Sequence, residues 1–281
     1  MSRYVYINGE FLAFEEAVVS VEDRAYLFGD GVYDVIHFVG KNLVDGQKHL
    51  DRLVGSAKEI RISSSTLTPL PFLIDKLISL NRIDEGFVYI QLSRGIAPRN
   101  HLFPDSSVRP SLFLFIKRMP FQDFKGVSVI TGPDTRWAKC QVKSINLLPN
   151  VLAKQEAADA GAYETWFVDE KDQVSEGTLS NAWIVKNDTL YTAPTTMNIL
   201  NGITRQRLIQ LAKKNDIKVL EQSFTVKEAL SAQEAFITST NSPITPVIKI
   251  NNHSIGNGKI GPFVQKLHDL YLGFVKSERT K

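Results

Sequence analysis

Two short stretches decide how this chain reads: Cys140-Gln-Val-Lys143-Ser-Ile-Asn146-Leu-Leu148 and, further on, Val174-Ser-Glu176-Gly177-Thr-Leu-Ser-Asn181. The first sets one lysine between a β-prone run and a helix, among the apolar neighbours Val142, Ile145, Leu147 and Leu148. The second sets one glutamate on a glycine-punctuated turn between two strands. A lysine amine can hold a carbonyl group covalently, and a carboxylate shielded from water makes a strong charge-assisted hydrogen bond. Taken singly, such a lysine or turn glutamate is ordinarily solvated, so the weight falls on what surrounds the pair.

Upstream of the lysine, Tyr4–Ile7 and Glu10–Ala13 flank Asn8-Gly9, the strongest two-residue hairpin signal. A β-like run covers Val32–Val39. A helix is expected over Gln47–Ile60, with Leu50, Leu53, Val54, Ala57 and Ile60 on one stripe. Pro69–Leu80 reads as a second helix, and Phe87–Ser93 and Ser111–Ile116 as strands. Downstream come a strand near Val127–Gly132, a helix over Val151–Ala160 ending at Gly161, and strands over Glu164–Val168, Ala182–Lys186 and Thr189–Tyr191. A helix follows over Thr204–Asn215, then a strand over Ala235–Thr238 and a closing helix over Pro262–Lys276. The expected class is α+β in two domains: a smaller one over 1–118, a connector over 119–127 and a larger one over 128–281.

Composition excludes several functions. A chain of 281 residues with 43% hydrophobic and 22% charged residues is an ordinary globular protein. Its net charge of +3, without a basic run, does not predict a nucleic-acid partner. The single cysteine, Cys140, allows neither an internal disulfide nor a cysteine-built metal site, and no metal is expected. Met1–Phe14 lacks the apolar core of a secretory leader, and no apolar run is long enough to span a membrane. The expectation is a cytoplasmic protein.

Three places can contribute to a phosphate cup. Gly202-Ile203-Thr204-Arg205 opens a helix, where backbone N–H groups can meet an anion, although Thr204 can equally serve as a plain helix cap. Ser239-Thr240 ends a strand with hydroxyl and backbone donors, and Arg52 rides on the Gln47–Ile60 helix. The loop Arg94-Gly-Ile-Ala-Pro-Arg99-Asn-His101 brings two arginines and a histidine that could hold a carboxylate. A lysine for a Schiff base, an acid for a pyridine nitrogen and a phosphate cup are together the requirements of pyridoxal 5′-phosphate, PLP.

From about Tyr4 to the last helix, the chain resembles the fold-type IV PLP enzymes, the class IV aminotransferases. Glu22-Asp-Arg-Ala-Tyr-Leu-Phe-Gly-Asp-Gly-Val-Tyr-Asp34, the Arg52 helix, Lys143-Ser-Ile-Asn-Leu-Leu148, Glu176-Gly177, Gly202-Ile-Thr-Arg205 and Thr238-Ser-Thr-Asn241 occur in the family's order and spacing. The resemblance implies PLP between two α+β domains. It implies Lys143 as the Schiff-base residue and Glu176 as the partner of the pyridine nitrogen. It also implies that Arg52, the Ile203–Thr204 backbone and Thr240, beside Ser239, hold the phosphate, and that Leu200 packs on the ring.

Within that family, the Arg94–His101 loop looks most like the branch acting on D-amino acids. There the residues matching Arg99 and His101 reach across a homodimer interface and, with Tyr33, bind the substrate's α-carboxylate; Val35 lines the side-chain pocket. The likeness breaks at Leu179, where Bacillus-type members carry a serine near the cofactor, and at Asn241, near the phosphate. The implied reaction is transamination between D-alanine- or D-glutamate-type amino acids and pyruvate or 2-oxoglutarate. A branched-chain L-amino-acid aminotransferase is the alternative, ahead of an aminodeoxychorismate lyase or an (R)-amine transaminase.

Overall fold

The computed structural model describes residues 3–121, 123–196 and 198–279. The chain forms two compact units. One holds the residues up to Pro120 with Val142–Asn146 and the end of the chain from Glu278; the other holds Phe121–Gln141 and Leu147–Ser277. The division differs from a single cut at two places. The Lys143 segment and the residues from Glu278, both numbered within the second half, group with the first unit.

In the first unit, strands β1 (Tyr4–Ile7) and β2 (Glu10–Ala13) form the expected hairpin. Asn8 and Gly9 sit at φ +48° and +112°, which a primed turn requires. Helix α1 (Arg24–Phe28) leads into β3 (Gly31–Val39) and β4 (Asn42–Leu43). Helices α2 (Gly46–Glu59) and α3 (Leu70–Asn81) precede β5 (Glu85–Ser93) and β6 (Ser111–Arg118). Among the described residues, six strands make an antiparallel sheet ordered β2-β1-β6-β5-β3-β4. Burial alternates along β5 and β6, so one face carries Val88, Ile90, Leu92, Leu112, Leu114 and Ile116. That face joins Leu53 and Ala57 of α2 and Ile74 and Leu77 of α3 in one core. Asn81 ends α3 by accepting from the Arg3 and Tyr4 amides at 2.6 and 3.0 Å, which ties the helix to β1.

The second unit runs through β7 (Val127–Pro133), α4 (Leu148–Asp159), β8 (Glu164–Val168), β9 (Gln173–Gly177), β10 (Asn181–Lys186) and β11 (Thr189–Thr192). It continues through α5 (Ile203–Lys214), β12 (Lys218–Glu221), β13 (Phe224–Thr225), α6 (Val226–Leu230), β14 (Glu234–Thr238), β15 (Thr245–Ile250), β16 (His253–Ser254) and α7 (Pro262–Arg279). The sheet is mixed, ordered β12-β11-β10-β14-β15-β7-β8-β9-β13, with β16 on β15. Of its parallel pairs, β7/β8 and β11/β12 are joined through α4 and α5, as parallel strands need a long crossover, and β7 also pairs in parallel with β15. Trp166, Val174, Ile184, Phe224, Ile237 and Val247 lie in its core. Among the described residues no helix is long and apolar enough to cross a membrane.

Candidate active site

Strand alternation divides the chemistry of β3. Tyr33 and Val35 point to one face and are half-buried; Asp34 points to the other and is fully buried. On that side α2 presents His49, Arg52 and Ser56, spaced three and four residues apart and so on one stripe. Arg52 Nε and Nη2 each donate to an Asp34 carboxylate oxygen at 2.8 Å, and His49 Nδ1 lies 2.7 Å from Oδ1. Burial alone would raise the Asp34 carboxyl, but the Arg52 charge and the hydrogen bonds from Arg52 and His49 outweigh it and hold it well below the usual carboxylate range. Burial lowers His49, so the neutral imidazole donates its Nδ1 proton to that carboxylate. Arg52 is thereby fixed in direction, its side chain 12% exposed.

Lys143 lies on the stretch 142–146, which runs beside the start of β3. The Ile145 amide donates to the Gly31 carbonyl at 3.1 Å and the Tyr33 amide to the Lys143 carbonyl at 3.0 Å. The Lys143 amide donates to Ser56 Oγ at 3.2 Å, and Val142 joins the first unit's core. Gly31 permits this close approach: a Cβ there would stand 2.8 Å from the Leu92 carbonyl and 3.1 Å from Ile145 Cδ1. The ammonium itself donates to the Tyr33 hydroxyl at 3.2 Å and lies 4.2 Å from the centre of that ring. The main chain is thus pinned on both sides while the amine meets a phenol.

In the second unit, Glu176 is not on a turn, as its Ser-Glu-Gly-Thr setting suggests, but inside β9 and 5% exposed. The alternation of β9 is masked because polar Ser175 and Glu176 are both buried, and the chain turns only at Thr178–Ser180. The Leu200 amide donates to both Glu176 oxygens at 3.1 Å, and Asn181 Nδ2 donates to Oε2 at 3.0 Å. Arg136, which the sequence pattern did not single out, also donates to the Glu176 carboxylate. Arg136 is held in turn by Asp134, through Nε at 2.8 Å and Nη2 at 2.7 Å. Burial pushes the Glu176 carboxyl up to about 7, against the pull of the Arg136 guanidinium. The ion pair decides its state, because both partners are buried and in contact, and Glu176 stands as the anion.

The same unit places Ile203 and Thr204 in the first turn of α5, with Gly202 as an N-cap that supplies no side-chain bond. The first-turn amides are therefore available to an anion. A Cβ on Gly202 would meet Asn181 Oδ1 at 2.2 Å, so glycine keeps Asn181 on Glu176 and on the Leu200 carbonyl. The Ser239 hydroxyl bonds the Ser242 main chain and closes a turn that contains half-buried Thr240. Asn241 Oδ1 is buried without a hydrogen-bond partner. Leu179 is 63% exposed, its amide donating to Glu164 at 3.2 Å.

On the loop after β5, Arg94 is not available to a ligand. It is buried, and its Nε and Nη2 bind Asp30 while Nη1 and Nη2 bind the Arg61 and Ile60 carbonyls. Arg99 and His101 are exposed instead, both against the Phe28 ring at 5.2 and 5.3 Å.

Residues 31–250 match the amino-transferase class IV family. The chain belongs to this family. It is 39% identical over 280 residues to the D-alanine aminotransferase of Staphylococcus haemolyticus, covering 98% of this chain and 99% of that one. It is 38% identical over 281 residues to the D-alanine aminotransferase of Bacillus licheniformis, covering 99% of each. Among solved structures, the Escherichia coli branched-chain amino acid aminotransferase superposes with a TM-score of 0.90 at 26% identity, covering 99% of this chain and 96% of that one. The T.th. branched-chain amino acid aminotransferase with pyridoxamine 5′-phosphate gives 0.89 at 26%, with the same coverage. This class IV aminotransferase is an enzyme with PLP as its cofactor. The residues present fit PLP: a lysine amine beside a phenol, a buried anion backed by a guanidinium and a helix start without a side-chain cap.

Proposed function

We propose that this class IV aminotransferase moves amino groups between D-amino acids of the D-alanine and D-glutamate type and 2-oxo acids such as pyruvate and 2-oxoglutarate. One observation carries the reading. The match to D-alanine aminotransferases is full-length at 38–39% identity, whereas the branched-chain structures share the fold at 26%. The alternative of branched-chain L-amino acids fits less well for that reason.

When bound, PLP supplies the aldehyde carbon that takes the amino group and a ring that draws charge away from the substrate's Cα. Lys143 would hold the cofactor, and its Nζ is the group that would move the substrate's Cα proton. The Tyr33 hydroxyl orients that nitrogen. Glu176, kept anionic by Arg136, holds the proton on the pyridine nitrogen. Arg52, the Ile203 and Thr204 amides and Thr240 hold the phosphate, and Leu200 packs on the ring. Val35 and Leu179 border the substrate side chain. Tyr33 binds the α-carboxylate with Arg99 and His101, these two supplied across the interface of a homodimer. The second unit, with Glu176, Leu200, Ile203, Thr204 and Thr240, is the main cofactor-binding unit, and the enzyme works in the cytoplasm.

The test is a single-turnover panel, with the holoenzyme's cofactor absorbance followed after adding D-alanine, D-glutamate or L-leucine. D-alanine and D-glutamate are expected to react fastest. A faster reaction with L-leucine sinks the D-amino-acid reading in favour of the branched-chain one.

A further inference from the structure

One carboxylate in the first unit has no role in the scheme above and yet carries two arginines. Asp30 Oδ2 accepts from Arg24 Nε at 2.8 Å and from Arg94 Nε at 2.8 Å, and Oδ1 accepts from Arg94 Nη2 at 2.9 Å. Arg24, at the start of α1, is buried and its side chain 4% exposed, unusual for an arginine unless its charge is paired. Its remaining donors reach the far half of the loop after β5: Nη1 donates to the Asn100 carbonyl at 2.6 Å and to the Leu102 carbonyl at 3.3 Å.

The two halves of that loop are held in different ways. The near half is tied by backbone bonds, Arg94 amide to Asp30 carbonyl at 3.1 Å, Arg24 amide to Gly95 carbonyl at 3.0 Å and Ala97 amide to Glu22 carbonyl at 3.3 Å. The far half, which carries Arg99 and His101, is held from outside chiefly by side chains. Besides the Arg24 guanidinium, the Phe28 ring lies under Arg24 at 4.7 Å, Arg99 at 5.2 Å and His101 at 5.3 Å. Phe103, just beyond, lies under Arg94 at 3.7 Å and Arg61 at 4.6 Å. Both Arg24 and Arg94, which grip the far half, therefore take their direction from the same carboxylate.

We infer that Asp30, acting through Arg24 and the Phe28 ring, is a positioning residue for the segment Arg99–His101, and so sets how strongly the enzyme prefers amine donors that carry a carboxylate. This rests on the reading of Arg99 and His101 as the α-carboxylate site. A guanidinium recognises a carboxylate through a planar fork, so a loose segment loses affinity steeply while the cofactor chemistry is untouched.

The experiment uses the holoenzyme and three variants, Arg24→Lys, Phe28→Leu and Arg99→Ala, in single turnover with D-alanine and with D-alaninol, which has no carboxylate. A lysine at 24 cannot bind Asp30 and both carbonyls together. Arg24→Lys and Phe28→Leu are expected to keep the native cofactor absorbance. Their apparent Kd for D-alanine should rise about tenfold, or ~1.4 kcal/mol, with the maximal rate within about twofold. Their reaction with D-alaninol should be unchanged. If Arg24→Lys is insoluble, Asp30→Asn, which keeps the shape and removes the charge that Arg24 and Arg94 share, takes its place beside Phe28→Leu. The inference is overturned if both substrates suffer equally, which marks a general scaffold role. It is overturned too if D-alanine binds these variants normally while Arg99→Ala binds it weakly. Unaltered D-alanine binding by Arg99→Ala instead removes the carboxylate-site reading, and the inference falls with it.

Discussion

Arg136 stands between two acids, gripping Asp134 through Nε and Nη2 at 2.8 and 2.7 Å while its Nη1 reaches Glu176. One cation thus orients and offsets the buried carboxylate assigned to the pyridine nitrogen. Glu176 can hold that nitrogen protonated only as an anion, the form present above its own pKa. Burial already pushes that pKa up to about 7, and Arg136 opposes the shift. Replacing Arg136 by glutamine removes the opposing charge, so the pKa rises further and the anion survives only at higher pH. The acid limb of kcat/KM against pH is expected to move upward in Arg136→Gln, with the largest loss near pH 6 and the smallest near pH 9. Equal loss at every pH would mean that Arg136 only fills space.

Lys143 combines a main chain fixed by Ser56 and Tyr33 with an amine whose contact is the Tyr33 hydroxyl. Lys143→Ala removes covalent attachment and proton transfer together, so turnover should fall on the order of a thousandfold or more. Borohydride reduction of the unmutated holoenzyme, followed by peptide mapping, should place the pyridoxyl group on Lys143. A label on any other lysine sinks the assignment.

Asp34 is the fixed point from which Arg52 is aimed. Asp34→Asn removes the charge and keeps the shape, leaving a buried guanidinium short of an acceptor. Loss of a charge-assisted contact of this kind costs roughly 1.5–3 kcal/mol, and PLP is expected to bind about tenfold or more weakly. The sign with pH follows. The Asp34 pKa is depressed in the folded protein, so its stabilising contribution is present above the ordinary aspartate value near 3.8 and is lost as pH falls below it. Titration of the apoenzyme with PLP and with unphosphorylated pyridoxal separates the cases. A phosphate-aiming role weakens PLP alone, whereas equal weakening of both refutes it.

Most of the framework was legible because its signals are local. Asn8-Gly9 forces the first hairpin, and the apolar stripe of α2 and the alternation of β5 and β6 survive reading without a structure. The elements that escaped have no such signal. Strand β9 reads Gln-Val-Ser-Glu-Gly, with polar Ser175 and Glu176 buried in succession after core Val174, so no alternation shows. Strand β15 carries Pro246, which demotes a strand on sequence grounds, although Pro246 sits opposite Phe236 in the sheet. Helices α1 and α6 span five residues each, too short to show a period. At the site, Lys143 and Glu176 could be singled out by residue type and setting. Arg136, Asp34 and His49 could not, since each acts through a partner that is distant in sequence or on another element, and Asp134 acts only through Arg136. Arg94 reads as a carboxylate binder for the same reason: its contacts with Asp30, Ile60 and Arg61 appear only in the folded chain.

Arg99 and His101 are exposed on the loop after β5, against Phe28, and the proposed carboxylate site needs them to serve a second copy of the chain. That arrangement has a direct genetic test. Lys143→Ala chains lack the amine, and Arg99→Ala chains lack the carboxylate fork, so each homodimer is expected to be nearly inactive with D-alanine. In a mixed dimer with shared sites, one site takes both defects and the other takes none. Unfolding and refolding an equal mixture should therefore yield mixed dimers in about half of the population and restore about a quarter of the native sites. Differently tagged chains, purified over two affinity steps, show that the mixed species has formed. Recovery of D-alanine turnover in that fraction establishes the exchange of Arg99 between protomers. If the purified mixed dimer stays inactive, each site is built from a single chain and the cross-subunit assignment of Arg99 and His101 is withdrawn.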